Sequence, residues 1–148
     1  MTAPAEPIRL LMAEDDPQDQ FMVKRAFTHA RCLNEIAIVE DGEELLAYLR
    51  REGKHQAASR PDLILLDLNM PRKSGREALA EVKSDPALRG IPIIILTTSN
   101  ADEDILRSYD LGANSYIQKP VTFEKLVDVA RLIGEYWMEI VKLPPQAR

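Results

Sequence analysis

A single cysteine, Cys32, in 148 residues leaves no partner for an intrachain disulfide, and no group of cysteines and histidines has zinc-site spacing. Long apolar runs are missing as well. Nothing approaches the roughly 18 residues that a membrane-spanning helix needs, so no membrane partner is expected. The opening Met-Thr-Ala-Pro-Ala-Glu-Pro lacks a basic region followed by an apolar stretch, so no secretory signal is expected and a cytoplasmic location follows. Basic charge is also short, with 19 Lys and Arg against 24 Asp and Glu and a net charge of −5. Without a clustered basic surface, no nucleic-acid partner is expected. No internal repeat and no interdomain linker are visible, and the length fits one domain.

What is present is organised around residues 61–71, Pro-Asp-Leu-Ile-Leu-Leu-Asp-Leu-Asn-Met-Pro. Leu63 to Leu66 show no alternation of polar and apolar side chains, which is the pattern of a strand buried on both faces of a parallel sheet. The run ends on Asp67, and Pro71 stops further ladder pairing. In open α/β sheets, ligands bind outside the carboxyl ends of the strands, and Asp67 stands at such an end.

The rest of the chain alternates strand and helix about five times. Residues 1–7 are rich in Pro and Ala and are expected to be disordered. A strand over residues 8–13 runs into Glu14-Asp15-Asp16, where Asp16 reads as an N-cap followed by Pro17 at the first helical position. A helix follows to about Ala30, with Met22, Val23, Ala26, Phe27 and Ala30 on one face. Further strands are expected over residues 36–39, 93–96 and 115–118. Further helices are expected around Leu45–Leu49, around Ala78–Val82, over Ala101–Leu111 and over Phe123–Val141. In the fourth of these five helices, Ile105, Leu106 and Tyr109 are expected to be buried or at an interface. Short connections between alternating elements argue for a doubly wound parallel sheet with helices on both faces.

Four strand ends then carry Glu14 with Asp15, Asp67, Thr97 and Lys119. In a parallel sheet these lie on one edge. Clustered carboxylates with a backbone carbonyl and waters suit an octahedral Mg²⁺ site. A carboxylate is also a competent nucleophile for phosphoryl transfer, and a metal, an ammonium and a hydroxyl would stabilise the charge on the moving group. Singly, each residue has an ordinary explanation: Lys119 as a solvated surface lysine, Thr97 as a strand terminus, Asp67 as a turn cap. Their occurrence at successive strand ends of one sheet favours a single site.

These residues, with Gly75 and Tyr116-Ile117-Gln118-Lys119-Pro120, give the chain its resemblance to the response-regulator receiver domains of two-component systems. The resemblance covers about residues 8–141 and leaves residues 142–148 as a tail. It implies a five-stranded flavodoxin-like sheet of order 2-1-3-4-5. It implies Asp67 as phospho-acceptor from a sensor histidine kinase, and Mg²⁺ held by Glu14, Asp15, Asp67 and the backbone carbonyl of Asn69. Thr97 and Tyr116 become the switch pair, Lys119 the phosphate-contacting cation, and the Lys119-Pro120 bond is expected to be cis. Leu-Thr-Thr-Ser, Glu-Asp-Ile-Leu-Arg-Ser-Tyr-Asp-Leu and Tyr-Trp-Met-Glu-Ile-Val-Lys-Leu-Pro are similar to the single-domain regulators paired with bacterial phytochromes. Two departures stand out: Glu14 replaces the commoner aspartate, and Thr98 stands where many receivers have alanine.

With no DNA-binding domain following, output is expected through protein contact or phosphate relay. The stripe Val127, Ala130, Ile133, Gly134, Trp137 and Val141, with Tyr136 and the Leu143-Pro144-Pro145 tail, points to a homodimer through residues 101–141. Trp137 alternatively covers the edge of the core. Competing functions are a receiver that serves only as a scaffold, a nucleotide- or flavin-binding protein, which would want a glycine- or hydroxyl-rich phosphate loop where Glu14-Asp15-Asp16 stands, and an Mg²⁺-dependent phosphatase with an aspartyl nucleophile. The phosphatase would want a second acid where Asn69 stands.

Overall fold

The computed structural model describes residues 9–31 and 35–140. The expectations placed on residues 1–7, Ile8, Val141 and the tail fall outside them, as does Cys32. Five strands form one parallel sheet of order β2-β1-β3-β4-β5: β1 Leu10–Ala13, β2 Ile36–Val39, β3 Leu63–Leu66, β4 Ile93–Thr97 and β5 Ser115–Gln118. The helices between and after them are α1 Pro17–His29, α2 Gly42–Arg50, α3 Gly75–Ser84, α4 Asp102–Asp110 and α5 Phe123–Ile133. Among the described residues, no helix is long and apolar enough to cross a membrane.

The continuous apolar strands are explained by the two layers they separate. Successive residues of a strand point to opposite faces. Leu11, Ala13, Ile64, Leu66, Ile93 and Ile95 therefore pack with Leu45 and Leu46 of α2 and Ala78, Leu79 and Val82 of α3. Leu10, Met12, Leu63, Leu65, Ile94 and Leu96 face the other way, onto Val23, Ala26 and Phe27 of α1 and Leu126, Ala130 and Ile133 of α5. Each of these helices presents one apolar stripe, and each of these strands is covered on both sides.

Local chemistry sets the helix ends. The Asp16 carboxylate accepts the backbone N–H of Gln18 at 2.8 Å ahead of Pro17, as the sequence pattern predicts. Ser74 and Glu77 form a reciprocal capping box at the start of α3. Gly75 is there for a different reason. A Cβ at this position would lie 1.9 Å from the Asp67 carbonyl oxygen, so only glycine lets α3 begin against the end of β3.

Two expectations are narrowed. On α4, Leu106 and Tyr109 are 67% and 48% exposed and only Ser108 is buried, so of the two expected roles, burial or interface, the first is excluded for Leu106 and Tyr109, and the helix contributes almost nothing to the core. Trp137 is 9% exposed and packs in the layer with Phe27 and Ile133, which removes it from any contact stripe. After α5 the backbone continues as a π-helical segment, Gly134–Ile140, in place of a regular α-helix, and the indole packs in the layer shared by α1 and α5.

Candidate phosphoryl and metal site

The strand ladder brings the acids together. The Glu14 N–H donates to Val39 O at 2.9 Å and the Asp67 N–H to Ala13 O at 3.1 Å, so both residues extend strand geometry by one step. Glu14 and Asp67 are buried, 3% and 8% exposed, whereas Asp15 is exposed. One carboxylate oxygen from each of Glu14, Asp15 and Asp67 lies within 4.8 Å of the others. Such an oxygen set fits a hard divalent cation, and three like charges held this close are costly without one. Asn69 is exposed beside Asp67, with its N–H directed to Asp67 Oδ1 at 3.5 Å.

Lys119 follows β5, where its backbone N–H donates to Thr97 O at 2.6 Å. Its ammonium contacts Glu14 and Asp19 and stands 3.8 Å from Asp67 Oδ2. Burial raises the Glu14 carboxyl to about 7, against the opposing pull of Lys119. Burial also works against the charge on Lys119, but its hydrogen bonds to Glu14 and Asp19 outweigh this and hold its pKa above the usual lysine value. The side chain is the buried partner of an acidic site, and the solvated-lysine alternative does not hold. The peptide bond before Pro120 is trans, as are all described peptide bonds, contrary to the expected cis form. Trans is the intrinsically favoured isomer of an X–Pro bond.

Thr97 is the last residue of β4, on the same edge of the sheet. The residue is 0% exposed, and its Oγ1 has no hydrogen-bond partner among the described residues. A buried hydroxyl left unsatisfied is destabilising, so this donor is available to a ligand oxygen. Tyr116 is half-buried at the sheet edge; its hydroxyl donates to Ser99 O at 2.9 Å. Thus the structure places Glu14, Asp15, Asp67 and Lys119 in one cluster, with Thr97 joined to it through the Lys119 backbone, while Tyr116 contacts the loop after β4.

Two groups of residues at the site escape sequence reasoning. Asp19, in the first turn of α1, meets Lys119 at 2.9 Å. Arg76, Asp104 and Ser99 form a clasp at the rim. Arg76 Nε and Nη2 donate to the two Asp104 oxygens at 2.9 and 3.0 Å, Ser99 Oγ donates to Asp104 at 2.7 Å, and Arg76 Nη1 donates to Asn69 Oδ1 at 3.2 Å. One signal was available: Arg76 puts a cation in the first turn of α3, where the helix dipole disfavours it.

A five-stranded 2-1-3-4-5 sheet with paired acids, an aspartate and a lysine at its carboxyl edge defines the class. The chain belongs to the response regulator receiver domain family, which it matches over residues 10–131. Response regulator Rcp1 of Synechocystis sp. is 38% identical over 135 residues, covering 91% of this chain and 92% of Rcp1. The crystal structure of the phosphorylated cyanobacterial phytochrome response regulator RcpA superposes with a TM-score of 0.88 at 44% identity, over 93% of this chain and 99% of RcpA. The Mn²⁺-bound form of Rcp1 superposes with a TM-score of 0.86 at 38% identity, over 94% and 100% of the two chains.

Proposed function

We propose that this protein is a single-domain response regulator that accepts a phosphoryl group on Asp67 from the phosphohistidine of a sensor kinase. The observation that carries the proposal is the grouping of Asp67 with two further carboxylates and the Lys119 ammonium, capped by the partnerless Thr97 hydroxyl. Glu14, Asp15, Asp67 and the Asn69 carbonyl would hold Mg²⁺, a reading supported by the Mn²⁺-bound relative. The ion supplies charge neutralisation for the phosphoryl oxygens. An Asp67 oxygen bonds to phosphorus as the phosphorus–nitrogen bond to imidazole breaks, the electron pair leaving with the imidazole. Lys119 then donates a hydrogen bond to a phosphoryl oxygen, and the Thr97 hydroxyl donates one to another. The chain catalyses this transfer and the later hydrolysis on itself alone.

The phytochrome relatives and their matching lengths support a phytochrome-linked histidine kinase as the phosphodonor. Its location is cytoplasmic in this reading, and its domain spans residues 8–141. Occupancy of Asp67 draws Thr97 toward the phosphoryl group and lets Tyr116 turn inward, a population shift felt at α4 and β5. The output surface is a homodimer face within residues 101–141, supported by exposed Leu106, Tyr109, Leu132 and Tyr136.

Intact-mass measurement after incubation with Mg²⁺ and a small phosphodonor tests the acceptor. The expected result is one added phosphoryl group on the wild type and none on Asp67→Asn with its circular dichroism unchanged. Phosphate retained by Asp67→Asn would overturn the assignment. Sedimentation mass with and without beryllofluoride tests the dimer, and a monomer in both states would exclude it.

A further inference from the structure

The Lys119 ammonium carries three protons on a flexible four-carbon stem, so its direction must be imposed by its partners. Two carboxylates impose it, Glu14 and Asp19, the latter through Oδ2 at 2.9 Å. Only one of them is free of competing duties. Glu14 belongs to the oxygen cluster that fits a divalent cation, together with Asp15 and Asp67, and Asp19 does not. With a cation held at that cluster, the Glu14 charge would be drawn to the ion and the ammonium beside it would be repelled. Asp19 is then the acid that still anchors Lys119. The remaining gap also matters. Nζ is 3.8 Å from Asp67 Oδ2, too far for a direct hydrogen bond and wide enough for an oxygen of a group carried on Asp67 to meet the ammonium with little movement.

We propose that Asp19 is a positioning residue for Lys119, holding the ammonium aimed at the group bound on Asp67 while the metal cluster occupies Glu14. A donor fixed in advance contributes its full interaction because nothing has to reorganise when charge arrives. Asp19 thereby ties the first turn of α1 to the state of Asp67. The inference rests on the reading of Asp67 as the phosphoryl acceptor.

The sign of the effect separates positioning from simple charge. Removing a negative charge near the site strengthens anion binding by Coulomb's law alone; loss of aim weakens it. Beryllofluoride is titrated at saturating Mg²⁺ and followed by fluorine NMR, in wild type, Asp19→Ala, the near-isosteric Asp19→Asn and Asp19→Glu. Asp16→Asn, which removes the same charge at the start of the same helix and remains a good N-cap, serves as control. The expected result is an affinity weakened by about tenfold in Asp19→Ala and Asp19→Asn, the order lost with one hydrogen bond to a charged group. Asp19→Glu recovers most of it and Asp16→Asn shows no loss. In a Lys119→Ala background, Asp19→Ala adds nothing further. Unchanged or tighter binding by both Asp19→Ala and Asp19→Asn overturns the proposal, and so does an equal loss in the Lys119→Ala background. If wild type with Mg²⁺ takes up no beryllofluoride, the Asp67 reading itself fails, a result distinct from any ordering of the variants.

Discussion

Replacing Thr97 by Val should make the protein more stable and less able to hold a phosphoryl group. The residue is fully buried at the end of β4, and its hydroxyl is the one buried side-chain polar atom among the described residues without a hydrogen-bond partner. Valine has nearly the same shape, suits a strand, and replaces the unpartnered hydroxyl with a methyl group. An unsatisfied buried polar group costs about 1–3 kcal/mol. Because the strand end can relax slightly, about 1–2 kcal/mol of added stability is expected, equivalent to roughly 2–8 °C in Tm for a chain of this length. The same substitution removes the donor proposed for the charged group on Asp67, and beryllofluoride affinity should fall about tenfold or more. Thr97→Ser separates the two effects, since it keeps the hydroxyl and loses the methyl. It should bind nearly as wild type and lose about 1 kcal/mol of stability. Urea unfolding monitored by circular dichroism gives the first quantity, and fluorine NMR titration the second. A Thr97→Val protein less stable than wild type would refute the claim that the hydroxyl is held at a cost, and unchanged affinity would refute its assigned use.

Other outcomes follow from the geometry of Gly75 and Asp41. Gly75→Ala places a methyl 1.9 Å from the Asp67 carbonyl oxygen, against backbone that cannot rotate away, so α3 must shift. A loss of roughly 3 kcal/mol in urea unfolding is expected, and a wild-type midpoint would contradict it. Asp41 caps α2 by accepting from the Glu44 N–H at 2.8 Å and pairs with Arg72 at 2.6 Å. Burial pushes its carboxyl up, but these partners outweigh burial and hold its pKa below the usual carboxylate value. A depressed folded pKa gives stability that is fully present above about pH 4 and is lost as pH falls through the folded value. Asp41→Asn, still able to cap the helix, should be less stable than wild type at neutral pH and should show a shallower loss below about pH 4. Parallel acid limbs for the two proteins in pH-dependent unfolding would count against this linkage.

The strands were legible because burial on both faces demands uninterrupted apolar runs, and Leu63–Leu66 and Ile93–Leu96 have no other comfortable reading. The site was legible through topology: Glu14, Asp15, Asp67 and Lys119 each follow a strand, Thr97 ends one, and parallel strands share an edge. What escaped was side-chain pairing between surfaces of helices. Asp19 and Arg76 are charged residues in first turns, and no periodicity tells which distant charge each will meet. Leu106 and Tyr109 were half legible for a different reason: apolar residues at helical spacing mark either a buried stripe or an interface, and only the structure excludes burial, since α4 exposes them. Trp137 was weighed between two surfaces, and its burial against Phe27 and Ile133 decides for the core. The trans bond at Lys119-Pro120 shows the limit of carrying a backbone detail over from a family.

The polar attachment of α4 has a thermodynamic consequence. The helix is held to the body by the Arg76–Asp104 pair, by Ser99 and by the Tyr116 N–H donated to the Tyr109 hydroxyl at 3.1 Å, and only to a small degree by buried apolar area. Displacing it exposes little new hydrocarbon to water, so the displacement carries a small heat-capacity change and responds to ionic strength more than to temperature. If the proposed switch displaces this helix, its set point should stay nearly the same across a wide thermal range. The hydrophobic layers on either side of the sheet are left to determine when the whole domain melts.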